Sequence, residues 1–307
     1  MTGQAFRDEL AAAVEGAVLF DEPLDRHTSL RVGGRADVLV SPRSVEALRR
    51  VITHCRSGGV PYTPVGNWTN LIVRDGGYRG VVISMRGLQG AVWERDRQGG
   101  ALARVEAGVP VAELVRVAAR DGFAGLEFCA GIPGSVGGAV MMNAGAYGSE
   151  IREVIEEATL MNGQGELSRR DKSALDFAYR KLNLPKGMIV VGAAFALRPG
   201  DPVKIRERVA DILAKRGRKH PLEYPNAGSV FKNPAGRPAG RIIEEAGLKG
   251  TRIGGAMISE KHGNFIVNTG DARASDILAL IDLVQKKVRE QTGICLETEV
   301  RVIGEQA

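Results

Sequence analysis

Two stretches of small residues give this chain its clearest capacity for chemistry. In Pro64-Val65-Gly66-Asn67-Trp68-Thr69-Asn70-Leu71, small and polar side chains let successive backbone N–H groups converge on a phosphate. The same residues also suit an ordinary surface turn. From Gly131 through Ile132, Gly134, Ser135, Gly138 and Asn143 to Ala146, small residues persist well beyond what one turn needs. Either a large flat ligand lies against this backbone, or another chain segment packs closely on it. His27, His54, His220 and His262 show neither HxH nor HExxH spacing, so no metal site is expected. Cys55, Cys129 and Cys295 are isolated and odd in number, which predicts neither a disulfide framework nor a zinc knuckle and suits a reducing compartment.

Regular elements must hold these loops. Leu10, Val14 and Val18 recur near helical spacing, and residues 36–40 read as a strand. Ser44 suits the N-cap of a helix that carries Val45, Leu48, Val51 and Ile52 on one face and ends at Gly58-Gly59. An extended run at Val60-Pro61-Tyr62 then leads into the first loop. Strands are predicted at 81–84 and 103–107, and a helix at 111–120 closed by Gly122. A hairpin is expected around Asn162-Gly163 and an apolar strand at 188–197. Pro199-Gly200-Asp201-Pro202 marks a boundary. Beyond it come a basic helix to about Lys215, strands at 228–232 and 264–268, a helix at 239–246, a Ser275-capped helix and a final strand at 294–303. The regular βαβ rhythm is missing and no GxGxxG joins a strand to a helix, so an α+β fold is expected over a doubly wound one.

With 307 residues the chain has room for two domains, and 44% apolar with 25% charged residues excludes a disordered or fibrous protein. Its 40 glycines exceed the usual share of about 7%, which directs attention to the loops. A net charge of +6 suits an anionic partner: nucleic acid, anionic lipid or a phosphorylated small molecule. Nucleic acid is disfavoured, because the basic residues are dispersed and the densest run, Lys215 to His220, has no interleaved aromatic ring. Arg7, Asp8, Glu9 and Glu15 leave no apolar core for a signal peptide, and no uncharged stretch of about 18 apolar residues occurs. A soluble, cytoplasmic protein is expected.

Three further motifs, Arg31-Val32-Gly33-Gly34-Arg35-Ala36, Gly228-Ser229-Val230-Phe231-Lys232-Asn233-Pro234 and Leu296-Glu297-Thr298-Glu299-Val300, join the two loops in order. Over nearly its whole length the chain thereby resembles the UDP-N-acetylenolpyruvoylglucosamine reductase family. The short span from Arg180 to Ser229 resembles the compact form, which lacks an inserted loop whose tyrosine folds over substrate. The resemblance implies a lead-in at 1–27, an FAD-binding domain of the vanillyl-alcohol-oxidase (PCMH) type at 28–200, and a C-terminal α+β substrate-binding domain at 201–307, whose last strand returns to the active site. It further implies non-covalent FAD, with NADPH as co-substrate. In the reaction so implied, reduced flavin passes hydride to UDP-N-acetylglucosamine enolpyruvate, forming UDP-N-acetylmuramate for peptidoglycan. Neither nucleic acid nor membrane is implied as partner, and a monomer is favoured. Two other readings are an FAD-dependent alcohol or sugar oxidase of the same fold, and a flavin or nucleotide-sugar binding protein without catalysis.

Carried over by motif, Gly66, Asn67, Thr69, Asn70 and Leu71 would line the FAD diphosphate. Gly131, Ile132, Gly134, Ser135, Gly138, Asn143, Ala144 and Gly145 would follow the cofactor along its length. Arg180 matches the catalytic arginine, suited to hold the carboxylate that shares developing negative charge. Ser229 matches the proton donor, and Glu299 the acidic residue near the enolpyruvyl group. Lys219, Lys232 and Asn233 match positions that contact the UDP moiety. The chain departs from the family pattern at Trp68-Thr69-Asn70, where Gly-Ser-Asn is usual, and at Leu182, where a serine is usual.

Overall fold

The computed structural model describes residues 3–307. The chain divides into two compact units, each assembled from separate segments: residues up to Phe20, Val38–Asn67 and Gly80–Lys215 in the first, and Asp21–Asp37, Trp68–Arg79 and Arg216–Ala307 in the second. A cut at residue 200 falls inside the first unit, and residues 21–37 and 68–79 join the C-terminal segment.

In the first unit an antiparallel sheet runs Leu167–Asp171, Ile155–Met161, Ile189–Pro199, Ala101–Glu106, Ala91–Arg95. Ile189–Pro199 is its central strand, and its near-continuous apolar run is buried as far as Phe195. The helix Val111–Asp121 lays Val111, Leu114, Val115 and Ala118 into the core beside Phe195, and it stops at Gly122, whose φ of +79° is cheap only for glycine. The helix Val45–Ser57 starts where Ser44 accepts the Ala47 N–H at 3.1 Å, and it buries Leu48, Val51, Ile52 and Cys55. Tyr62–Val65, which delivers the chain into the first loop, runs parallel to Tyr78–Ser84.

The second unit gathers Leu30, Val32 and Ile72 into one core with residues from Ala227 to Val300. Its three-stranded antiparallel sheet comprises Arg252–Ile253, Ala256–Ile258 and Ile266–Asn268. The helices Ala239–Glu245 and Ala274–Thr292 pack into the same core, and Leu71–Val73 pairs in parallel with Arg301–Ile303.

Four expectations need correction. The first helix ends at Ala13, so Val14 and Val18 lie beyond it, and Val18 is in the strand Gly16–Pro23. Residues 228–232 form no strand: Phe231 bridges Thr298, while the Asn264 side chain bonds both the N–H and the carbonyl of Phe231 and replaces a regular ladder. The final strand shrinks to Arg301–Ile303, with Val302 37% exposed, so alternation over 294–303 does not continue to its end. The long C-terminal helix begins at Ala274 and is capped by Asp75, not Ser275. No helix among the described residues is long and apolar enough to cross a membrane, and no group of three or more His, Cys, Asp or Glu among them is arranged to hold a metal ion.

Candidate functional site

The first loop holds one glycine, Gly66, and a tryptophan at a position of positive φ. Gly66 sits against Ser135: a Cβ added there would stand 2.6 Å from the Ser135 hydroxyl, which would have to shift. Asn67 is held by Arg86, whose Nε donates to the Asn67 Oδ1 at 2.9 Å and whose Nη2 donates to the Asn67 carbonyl at 3.1 Å. Trp68 takes φ +62°, the left-handed region in which glycine carries no penalty, and is 2% exposed. Its carbonyl accepts the Ser29 N–H at 3.2 Å, and its ring lies 5.5 Å from that of His27. Thr69 is half-buried, and Leu71 starts the strand paired with Arg301. Asn70 donates from Nδ2 to the Glu299 carbonyl at 3.1 Å, and its own carbonyl accepts the Arg301 N–H at 3.1 Å.

The second loop divides its glycines between two uses. Gly137 answers to packing, since a Cβ there would lie 2.7 Å from the Cβ of Ala107. The backbone around it is bonded down, from Val111 N to Gly134 O, Val136 N to Val109 O and Gly137 N to Ala107 O, each at 2.9 Å. Gly138 is different: a Cβ there would meet only the Ser135 hydroxyl at 3.6 Å, so packing does not demand glycine. Ser135 Oγ is buried without a hydrogen-bond partner among the described residues, a polar atom that internal contacts leave unsatisfied. Gly131 adopts φ +72°, and Ile132, Gly134 and Ala144 are half-buried. Cys129, just before the loop, is 1% exposed, and burial pushes its thiol pKa up, so it is not poised as a nucleophile.

Asn143 and Gly145 turn toward the arginine. Asn143, fully buried, donates from Nδ2 to the Ala178 carbonyl at 3.1 Å and accepts the Arg152 N–H at 3.0 Å. A Cβ on Gly145 would stand 3.1 Å from Arg180 Nη1. Tyr179 and Arg180 form the two-residue turn of the hairpin between Asp176–Ala178 and Lys181–Asn183, with Arg180 at φ +57° and its guanidinium 5.2 Å from the Tyr179 ring centre. Leu182, where the family usually has serine, is 1% exposed in the core and paired with Phe177; it anchors the hairpin that presents the arginine.

In the second unit Ser229 and Glu299 come together through the main chain. The Val230 carbonyl accepts the Glu299 N–H at 2.8 Å, the Lys232 N–H reaches the Glu297 carbonyl at 2.8 Å, and Phe231 bridges Thr298. Both Ser229 and Glu299 are half-buried. Lys232 forms an ion pair with Glu297, and Asn233 Oδ1 accepts the Ala239 N–H at 2.9 Å, which starts the short helix there. Lys219 is exposed at the end of the helix Pro202–Lys219. Burial, then the charge of Arg216, pushes the His220 pKa down to about 4, so near neutral pH this imidazole adds no positive charge to the basic helix end.

Two concavities of the first unit, of about 590 and 480 Å³, are lined by residues such as Arg104, Glu157 and Lys172, and Glu127, Tyr147 and Arg208; neither includes an expected site residue. Motif reading missed Arg86 and Asp75. A lone arginine and a lone aspartate carry no spacing signal, and only the fold reveals what they hold.

Comparison with known proteins places this geometry. Residues 220–303 match the model described as UDP-N-acetylenolpyruvoylglucosamine reductase, C-terminal domain, and residues 36–170 match the FAD binding domain. A UDP-N-acetylenolpyruvoylglucosamine reductase of Syntrophus aciditrophicus is 52% identical, over 97% of this chain and 96% of its own. The crystal structure of UDP-N-acetylenolpyruvylglucosamine reductase from Thermus caldophilus superposes with a TM-score of 0.76 at 37% identity, covering 94% of this chain and 98% of that one. An alkyldihydroxyacetonephosphate synthase, at 17% identity and TM-score 0.50 over 65% of this chain and 41% of its own, shares the fold alone. The identity to the Syntrophus enzyme, sustained end to end, shows that this chain belongs to the UDP-N-acetylenolpyruvoylglucosamine reductase family.

Proposed function

We propose that the chain uses NADPH to reduce UDP-N-acetylglucosamine enolpyruvate to UDP-N-acetylmuramate in the cytoplasm, with Arg180, Ser229 and Glu299 as its catalytic groups. FAD-dependent reduction of the enolpyruvyl sugar in peptidoglycan synthesis follows from family membership; the electron donor, the compartment and the residue roles are the proposal. The residues present fit FAD: Ser135 Oγ lacks a protein partner, and Gly138 leaves room for a ligand. Gly66, Asn67, Thr69, Asn70 and Leu71 would hold its diphosphate, and the loop from Gly131 to Gly145 its length. When bound, FAD supplies the hydride for the outer carbon of the enolpyruvyl group.

The chain's residues manage the charge that follows. Negative charge spreads over the inner carbon and the adjoining carboxylate, and a guanidinium that stays ionised and offers paired donors is suited to hold it. Arg180, presented by its hairpin turn, takes this part. Ser229 gives a proton to the carbon; a serine is a weak acid in water, but the carbanion it meets is a much stronger base than the alkoxide left behind. Glu299 stabilises or helps protonate the intermediate. The observation that carries the reading is the 2.8 Å bond from Glu299 N–H to the Val230 carbonyl, which ties the segments carrying these two acid–base residues together. Lys219 supplies positive charge toward the UDP diphosphate. Lys232 and Asn233 shape that region through Glu297 and Ala239.

Anaerobic spectroscopy of the FAD-loaded protein tests this function. NADPH should bleach the flavin and the enolpyruvyl sugar should restore it. A flavin that NADPH leaves oxidised but an alcohol or sugar bleaches would make the protein an oxidase.

A further inference from the structure

Arg86 stands in an unusual position for a cation. It lies in the short turn Met85–Gly87, which Gln89 pins by donating from Nε2 to the carbonyls of Arg86 and Gly108. A Cβ on Gly108 would stand 2.0 Å from the Met85 carbonyl, so the turn is tightly seated. The guanidinium reaches Asn67 with two hydrogen bonds, both to neutral acceptors. Among the described residues it makes no ion pair. Surrounding protein desolvates it and lowers its pKa from the ordinary arginine value, while the residue still exposes surface to solvent. A guanidinium carries five N–H donors in a planar fork. Two are spent on Asn67, which fixes the plane and leaves the others on offer.

We propose that Arg86 is an additional ligand of the FAD diphosphate, its fork oriented by Asn67 and its remaining donors taken by a phosphate oxygen. This rests on the reading that the loop Gly66–Leu71 carries the diphosphate. Arginine suits the task because its charge persists and its planar fork matches a phosphate edge. Of the two bonds only the one to Oδ1 depends on the Asn67 side chain; with the main-chain carbonyl it aims the cation.

The test titrates the full-length apoprotein with FAD at increasing sodium chloride, for the wild type, Arg86→Gln and Arg86→Lys, with apoprotein melting as a check on folding. Arg86→Gln should raise the FAD dissociation constant about tenfold or more and flatten its dependence on salt. Arg86→Lys, which keeps the charge and the fold but loses the fork, should retain the salt dependence with intermediate affinity. An unchanged dissociation constant in Arg86→Gln, or a raised one with unaltered salt dependence, overturns the proposal, the latter because it marks a residue that only shapes the loop. Adding Asn67→Asp to Arg86→Gln places a negative charge in the loop without its arginine. Further loss of FAD supports the diphosphate assignment even where Arg86 fails, and no loss overturns the assignment itself.

Discussion

Trp68 sets two opposed free energies in one residue. A non-glycine side chain in the left-handed region costs about 1–3 kcal/mol, and Trp68 sits there at φ +62°. Burying an indole removes on the order of 150–250 Å² from water, worth about 4–6 kcal/mol at 25 cal/mol per Å², and Trp68 is 2% exposed. Its Nε1 is buried with no hydrogen-bond partner among the described residues, a further cost of about 1–3 kcal/mol, so burial wins by a narrower margin. Trp68→Gly should therefore destabilise the protein by about 1–3 kcal/mol in chemical denaturation, although glycine relieves the backbone; a variant as stable as the wild type would mean that strain and the unpaired N–H dominate. At this scale the sequence speaks where a residue belongs to a motif: Arg180, Ser229 and Glu299 stand in short blocks, and the segments that carry Ser229 and Glu299 are bonded to each other through Val230. Arg86 was illegible because its significance lies in a contact with a residue 19 positions away. The Leu182 departure also resolves into structure, since that side chain fills the core beneath the arginine hairpin.

Elements were legible where one face meets a core. The helices Val45–Ser57 and Val111–Asp121 and the strand Ile189–Pro199 lie close to where periodicity put them, because each buries a regular stripe. Residues 228–232 and 294–303 misled, since alternation reports which side chains are inward and not whether a ladder forms; there the Asn264 amide takes the place of a strand partner. The start of Ala274–Thr292 is hidden from local sequence for a similar reason. Its cap is remote: the Asp75 carboxylate accepts the Ala274 and Ser275 N–H groups at 2.8 and 2.9 Å. Burial raises the Asp75 pKa, but the hydrogen bonds from Ser275 and Ala274 and the charge of Arg273 outweigh it, and the net pKa is lowered. A carboxyl whose folded pKa is depressed contributes stability above its unfolded pKa of about 3.9 and loses it as pH falls through the folded value. Asp75→Ala should cost about 1–2 kcal/mol near pH 7, with the gap to the wild type closing as denaturation is repeated at progressively lower pH below about 4. A gap independent of pH would show that the carboxylate charge does not cap the helix.

At the scale of the whole molecule, the mixed order of strands and helices indicates an α+β fold, while the division of the chain between its compact units is hidden. Leu30, Val32 and Ile72 look like any other apolar residues of the N-terminal half, yet they pack into the core built from residues 227–300. Segmenting by the proline and glycine cluster at 199–202 could not reveal this, because core membership depends on chain return and not on local composition. The glycine loop from Gly131 and the Arg180 hairpin belong to the first unit, whereas Ser229 and Glu299 belong to the second. The proposed proton-donor role requires that a change at Ser229 affect the enolpyruvyl half-reaction alone. Single-turnover kinetics of anaerobic Ser229→Ala measure this directly: flavin bleaching by NADPH should proceed near the wild-type rate, and its recovery with the enolpyruvyl sugar should slow by on the order of 100-fold or more. Equal slowing of both half-reactions, or recovery at the wild-type rate, would contradict the role of Ser229 as proton donor.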